Sequence, residues 1–134
     1  MGKLTVHLWK VDHLCDDDLL GKSDPYVKLE LEQDNMVFDK DYGDKQSEKK
    51  KNELNPEYNQ DFHFSDIPSL ENMVLKVKIM DDDIGRDEEL GSCKIKLEDL
   101  GLSSSPIDVE KVVDRKLFRS NATIYLKLSY SEYE

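Results

Sequence analysis

The sequence predicts an all-β protein: an eight-stranded antiparallel sandwich of two sheets, with at most one short helix. Several short segments alternate apolar and polar residues with a period of two, which is the pattern of a strand with one buried face. The gaps between them are rich in turn residues and lack the helices that a parallel sheet needs for its crossovers. These observations favour antiparallel strands packed in two layers.

The strands follow from this alternation, taken along the chain. In the first, Leu4, Val6 and Leu8 alternate with polar neighbours, and the same pattern recurs four more times. Three further segments show it more weakly. The clear strands centre on residues 4–8, 27–31, 75–79, 95–97 and 124–128, and the weaker ones on residues 45–51, 58–64 and 115–119.

One short helix is predicted late in the chain. Ser105 is a typical helix N-cap, and Pro106 suits the first helical position because proline lacks the N–H that is unpaired there. Residues 107–113 would then form one or two helical turns.

Composition limits the possible functions. With 134 residues, of which 37% are apolar, the chain is long enough for one domain with its own core, so we expect residues 1–134 to form a single domain. The net charge of −11 argues against nucleic acid as a partner, because a phosphate backbone requires a basic surface. The same charge opposes binding to anionic membranes unless a cation reverses its sign locally.

Neither a membrane span nor a disulfide framework is predicted. No stretch approaches the roughly 20 apolar residues that a spanning helix needs, and no signal-peptide block opens the chain, so we expect a cytoplasmic protein. The two cysteines, Cys15 and Cys93, are too few for a disulfide framework and are expected to be reduced.

Two acidic segments are expected to meet at one end of the sandwich. Successive connections of an antiparallel sandwich alternate between its ends, so those after the first, third and fifth strands share an end. Side chains two residues apart on an extended chain point the same way, so Asp81 and Asp83 can bracket a cation that Asp24 reaches from the other segment. The three connections are residues 14–23, 52–57 and 81–90, and the acidic residues 33–44 fall at the opposite end.

Three spaced motifs stand out along the chain. They are Leu14, Asp18 and Gly21 with Ser-Asp-Pro-Tyr-Val-Lys at 23–28, Leu-Asn-Pro-Glu-Tyr-Asn-Gln-Asp-Phe-His-Phe at 54–64, and Asp-Asp-Asp at 81–83 followed by Leu-Gly at 90–91. Together they resemble the C2 domain family, which binds calcium and phospholipid. The resemblance covers about Leu4 to Tyr130. It implies a Greek-key sandwich with the circularly permuted type II topology, here as a stand-alone domain.

The resemblance also implies a set of calcium ligands for two or three ions. Asp18 and Asp24 match the ligand pair of the first loop, and Asp81 and Asp83 match that of the third. The fifth carboxylate stays open between Asp87 and Glu88. Backbone carbonyls of Leu19 or Asp82 would add oxygens, because calcium takes six to eight.

Apolar and basic residues suggest how such a domain would contact lipid. Leu19 and Leu20 in the first loop and Ile84 in the third are apolar where the chain should be most exposed. Related domains also carry a lysine-rich strand that binds acidic headgroups. The corresponding residues here are Lys45, Lys49, Lys50 and Lys51.

The sequence therefore predicts a calcium-dependent phospholipid-binding module. The alternative is a protein-interaction adaptor or a calcium buffer that uses the same fold without lipid. An EF-hand starting at Asp39 is excluded, because Gly43 falls at the fifth place instead of the sixth and Lys50 stands where glutamate is needed. Catalysis by paired carboxylates is not expected, because a domain of this size leaves little material for a substrate cleft.

Overall fold

A computed structural model of the protein describes residues 1–14, 24–51, 53–82, 87–115 and 122–133. Eight strands form in these residues. They are β1 (Gly2–Asp12), β2 (Pro25–Gln33), β3 (Lys40–Gln46), β4 (Glu57–Ile67), β5 (Met73–Asp81), β6 (Glu88–Lys96), β7 (Ile107–Arg115) and β8 (Ala122–Glu132).

The strands pair antiparallel in the order β3-β2-β5-β6-β7-β8-β1-β4. The first four strands of this order form one sheet and the last four the other. The sheets are joined where β6 and β7 pair over only two residues each. The first and last strands of the chain, β1 and β8, lie side by side. The predicted all-β antiparallel sandwich is confirmed.

The core lies between the two sheets and is built by the period-two alternation. In β1, Leu4, Val6 and Leu8 are fully buried, while the polar residues between them are only half-buried. Strands β2, β5 and β8 show the same alternation over most of their length. Each buried aliphatic side chain stabilises the fold by about 1.5–3 kcal/mol relative to an exposed one. The sandwich is therefore a rigid support for the loops at its two ends.

The predicted helix over residues 107–113 is wrong, because these residues belong to β7. They pair with β8 along their whole length, from Ile107 opposite Leu128 to Val113 opposite Ala122. Pro106 precedes this strand instead of starting a helix. A place beside β8 gives the backbone a complete ladder of hydrogen bonds, which outweighs the local helix-capping signal.

One weak strand prediction needs shifting along the chain. The strand expected at residues 45–51 occupies Lys40–Gln46, so the lysines from 49 onward follow the strand. The error concerns the boundary of a strand with a polar sequence, where alternation gives little signal. Of the strand expected at residues 115–119, Arg115 is the last residue of β7, and residues 116–119 lie outside the described part.

The helical structure of the described residues is a single 3-10 turn, Glu98–Leu100, between β6 and β7. It closes on Gly101, which adopts a left-handed conformation with φ of 62°. Within the described ranges, no helix has the length and apolar character required to cross a membrane.

The junction between the sheets depends on a glycine. Gly91 of β6 lies opposite Arg115 of β7. A Cβ atom at Gly91 would lie 2.6 Å from Cγ1 of Val113 and 2.9 Å from the carbonyl oxygen of Asp114. Val113 is buried in the core, so it has little room to move. The two strands can approach this closely only because residue 91 has no side chain.

Replacing Gly91 with alanine is expected to lower the free energy of unfolding by about 1–3 kcal/mol, because the new methyl group overpacks the β6–β7 junction. Urea denaturation of Gly91→Ala measures this loss. The neighbouring Ser92→Ala is the control and should change stability by less than about 0.5 kcal/mol. Equal effects of the two substitutions would contradict the need for close approach.

Candidate metal centre

The described ends of three connections lie at one end of the sandwich, which we call the rim. Two hydrogen bonds hold the end of β1 and the residues after it against the segment before β4. The amide of Val11 donates to the carbonyl of Pro56 at 3.0 Å, and that of Leu14 to the carbonyl of Leu54 at 3.0 Å. The start of β2 lies beside the end of β5, with Pro25 opposite Asp81. The rim therefore gathers chain segments that are far apart in sequence.

Two hydrogen bonds tie the acidic ends of β2 and β5 together. The backbone N–H of Asp24 donates to Oδ1 of Asp81 at 2.9 Å. In return, the backbone N–H of Asp82 donates to the carbonyl oxygen of Asp24 at 3.1 Å. All three residues are half-buried. The pairing places the Asp81 carboxylate against the backbone of Asp24, so the acidic ends of the two segments lie side by side. Carboxylate oxygen is a donor that calcium prefers.

The start of β6 brings two more carboxylates to the rim. Glu88 lies directly opposite Asp81 in the β5–β6 ladder, a position in which two side chains share a face. Asp87 accepts a hydrogen bond from the hydroxyl of Tyr26, a side chain that is otherwise buried. Burial, followed by the hydrogen bond to Asp87 and the negative charges of Asp87 and Asp82, raises the pKa of Tyr26 to about 12. The structure thus gives Asp87 and Glu88 different surroundings.

A lysine supplies positive charge at this acidic rim. The ammonium of Lys49 lies 3.2 Å from Oδ1 of Asp82 and 5.3 Å from the centre of the Tyr26 ring. It therefore occupies the place of a counterion to the rim carboxylates. Because both side chains are about 40% exposed, at 44% and 39%, this ion pair contributes little to stability.

The segment that carries Lys49 is fixed by a buried serine. The hydroxyl of Ser47 accepts a hydrogen bond from the backbone N–H of Val27 at 2.8 Å and donates one to the carbonyl of Glu48 at 2.9 Å. Two backbone bonds add to this, from Ser47 N–H to Val27 at 2.8 Å and from Lys50 N–H to Pro25 at 3.1 Å. Residues 47–50 are thus held along β2 at the rim.

The four lysines expected to form a lipid-binding strand are dispersed. Lys45 is in β3, with its ammonium 5.9 Å from the Phe64 ring. Lys50 pairs with Glu48 at 2.5 Å, while Lys51 is exposed in the turn that follows. With Lys49 engaged by Asp82, they do not line one strand face.

Other predicted site residues fall outside the described part of the chain. Asn55 in the middle connection is described, and its side chain accepts a hydrogen bond from the backbone N–H of His13 at 2.9 Å. The remaining predicted ligands and lipid contacts are Asp18, Leu19, Leu20, Asp83 and Ile84, which lie outside the described ranges.

A different acidic group lies at the opposite end of the sandwich. Glu32, Asp34 and Asp39 bring one carboxylate oxygen each to within 4.8 Å of one another. Glu32 is already paired with the ammonium of Lys76 at 2.5 Å. This group belongs to the β2–β3 hairpin and is separate from the rim.

The sequence of residues 2–114 matches the C2 domain family. The chain is a member of that family. Its fold agrees with the resemblance that the three motifs implied.

Relatives of this C2 domain include a protein named for calcium-dependent lipid binding. It is 35% identical over 141 aligned positions to a calcium-dependent lipid-binding protein of Arabidopsis thaliana, covering 98% of this chain and 25% of that protein. It is 40% identical over 96 residues to synaptotagmin-3 of Mus musculus, covering 70% of this chain and 16% of the relative. The chain thus spans a quarter or less of the length of these relatives.

A solved structure shares the whole fold. A C2 domain of plant extended synaptotagmin 1 superposes with a TM-score of 0.83 at 24% identity, covering 99% of this chain and 96% of that one. The match covers nearly all of both chains, so the two domains share one overall architecture.

Sequence reasoning missed three residues that shape the rim of this C2 domain. In the sequence Tyr26 is only one member of a motif, and Ser47 belongs to none of the three motifs. Lys49 was predicted to lie on a lipid-binding strand. The structure gives them local roles at Asp87, Val27 and Asp82. No signal in the linear sequence points to the last contact, because Lys49 and Asp82 belong to different segments.

Proposed function

We propose that this C2 domain binds two or three calcium ions at its rim and then binds the surface of a phospholipid membrane. The two hydrogen bonds between Asp24 and the end of β5 carry the proposal, because they hold two acidic segments side by side. The Arabidopsis relative, described as a calcium-dependent lipid-binding protein, supports the same function. In this proposal residues 1–134 act as one non-catalytic module.

The ligands would come from both acidic segments. Asp24 and Asp81 would bind the ion together with Asp18 and Asp83, which lie outside the described residues. Asp87 or Glu88 would complete the set, and carbonyl oxygens of Leu19 or Asp82 would add to it. Carboxylate and carbonyl oxygens are the donors that calcium prefers.

Electrostatics explains why calcium would control membrane binding. Two carboxylates about 4 Å apart repel each other by about 1 kcal/mol in water, and the acidic rim also repels anionic lipid. Two or three calcium ions would add a charge of about +4 to +6 and bridge the rim to lipid phosphate. The domain would act in the cytoplasm and lie on the membrane only with calcium bound.

The first test is co-sedimentation with vesicles of phosphatidylcholine and phosphatidylserine, with calcium or with a chelator. Calcium should cause the parent protein to pellet, and Asp81→Asn/Asp83→Asn should reduce pelleting at least tenfold because the ligands have lost their charge. Calcium should also raise the melting temperature of the parent by mass action.

Asp99→Asn/Asp108→Asn, which removes two exposed aspartates elsewhere, is the matched control and should pellet like the parent. A parent whose melting temperature does not respond to calcium would contradict the calcium site. A response to calcium without pelleting would contradict lipid binding and favour the calcium buffer or protein adaptor.

Lys49→Gln is expected to tighten calcium binding about two- to fivefold, because it removes a positive charge that competes with the ion at Asp82. Isothermal titration calorimetry measures the affinity. Lys94→Gln changes the net charge equally on an exposed part of β6 and should leave the affinity nearly unchanged. Equal tightening by both variants would show that only net charge matters.

Leu20→Ser/Ile84→Ser is expected to weaken vesicle binding about ten- to hundredfold, because each apolar side chain that enters the interface contributes up to about 1.5–3 kcal/mol. Calcium affinity in solution should stay within about twofold. Met36→Ser/Val37→Ser alters exposed apolar residues at the other end and should bind vesicles normally. Parallel loss of calcium and vesicle binding in the first variant would contradict a lipid-contact role.

A further inference from the structure

The β2–β3 hairpin presents three consecutive apolar side chains to solvent. Met36, Val37 and Phe38 are 104%, 88% and 72% exposed. They lie at the end of the sandwich opposite the rim, which we call the distal end. Single exposed apolar residues are common on protein surfaces, but a contiguous exposed group marks an interaction site.

Carboxylates flank this apolar tip. Asp34 precedes it and Asp39 follows it, and their carboxylates lie within 4.8 Å of each other and of Glu32. Lys76 pairs with Glu32, whereas neither aspartate forms a salt bridge within the described ranges. The exposed apolar residues 36–38 are therefore flanked by negative charge, and we call Glu32, Asp34 and Asp39 the hairpin base.

An acidic cavity adjoins the base of the hairpin. It has a volume of about 340 Å³ and is lined by Asp34, Glu98 and Asp99, with Met73 and Val74 as apolar lining and Lys96 as a single positive charge. Backbone hydrogen bonds join its walls, from Asp34 N–H to the Asn72 carbonyl at 2.9 Å and from Leu97 N–H to the Met73 carbonyl at 3.0 Å. Asp34 belongs to both the cavity and the hairpin base, so the two features form one continuous surface.

We propose that the distal end binds a cationic amphipathic segment of a partner protein. Apolar side chains of such a segment would pack on Met36 and Phe38, and its lysines or arginines would lie against Asp34, Asp39 and the acidic cavity. The partner segment is expected to be cationic because its positive charges would complement the carboxylates of the distal end. A negatively charged membrane surface would be repelled by the same carboxylates.

A synthetic peptide of about 18 leucines and lysines arranged as an amphipathic helix tests this proposal. Fluorescence anisotropy with a chelator present excludes any contribution of calcium at the rim, so the result is independent of the proposed calcium function. Met36→Ser/Phe38→Ser should weaken peptide binding at least tenfold, and Asp34→Asn/Asp39→Asn should weaken it about three- to tenfold. In amide NMR spectra, resonances of residues 34–39 and 97–100 should shift, while those of Asp24 and Asp81 should not.

Two controls separate this site from general attraction to an acidic protein. Val112→Ser removes an apolar side chain that is 56% exposed on β7 and should bind the peptide like the parent. A peptide of the same composition with its leucines spread around the helix should bind the parent at least tenfold more weakly. Equal binding of the two peptides, absence of peptide binding, or equal loss in Val112→Ser would overturn the proposal. Pelleting of the parent with phosphatidylcholine vesicles in chelator, lost in the tip variant, would also overturn it by showing that lipid is the occupant.

Discussion

Two hydrogen bonds between the start of β2 and the end of β5 fix the geometry of the rim. They join the Asp24 amide to the Asp81 carboxylate, and the Asp82 amide to the Asp24 carbonyl. A hydrogen bond to a charged group contributes about 1.5–3 kcal/mol, whereas two carboxylates about 4 Å apart in water repel by about 1 kcal/mol. The pairing is therefore strong enough to offset a repulsion of that size. It holds two acidic segments side by side before any cation arrives.

The fold was predictable at the strands that bury only one face. Along β1, the alternation of Leu4, Val6 and Leu8 with polar residues records which face is buried, so the sequence indicates the strand directly. The prediction failed at β7, where Ser105 and Pro106 carry a helix-capping signal. There Ile107 and Val109 are half-buried and their neighbours exposed, an alternation that the apolar pair Val112 and Val113 interrupts. Pairing with β8 decides the structure, and that pairing is not encoded locally.

The candidate site was predictable in outline because strand order determines which connections share an end. Counting strands was enough to expect the segments around Asp24 and Asp81 at one rim. Contacts between side chains were not predictable in this way. Lys49 was expected on a strand, but β3 ends before it, and the ammonium instead lies beside Asp82. Such a contact depends on where a strand stops, which is the least certain feature of a sequence-based assignment.

The length of β5 separates the two ends of the molecule electrically. Its nine residues, Met73–Asp81, reach from the distal end to the rim, a span of about 27 Å at the usual rise per residue. The Debye length in physiological salt is about 8 Å, so charges at one end scarcely affect the potential at the other. A change of charge at the rim therefore has little effect on the electrostatic field around the β2–β3 hairpin. Two ligands, one at each end, would bind additively, and coupling between them would require a change in the sandwich itself.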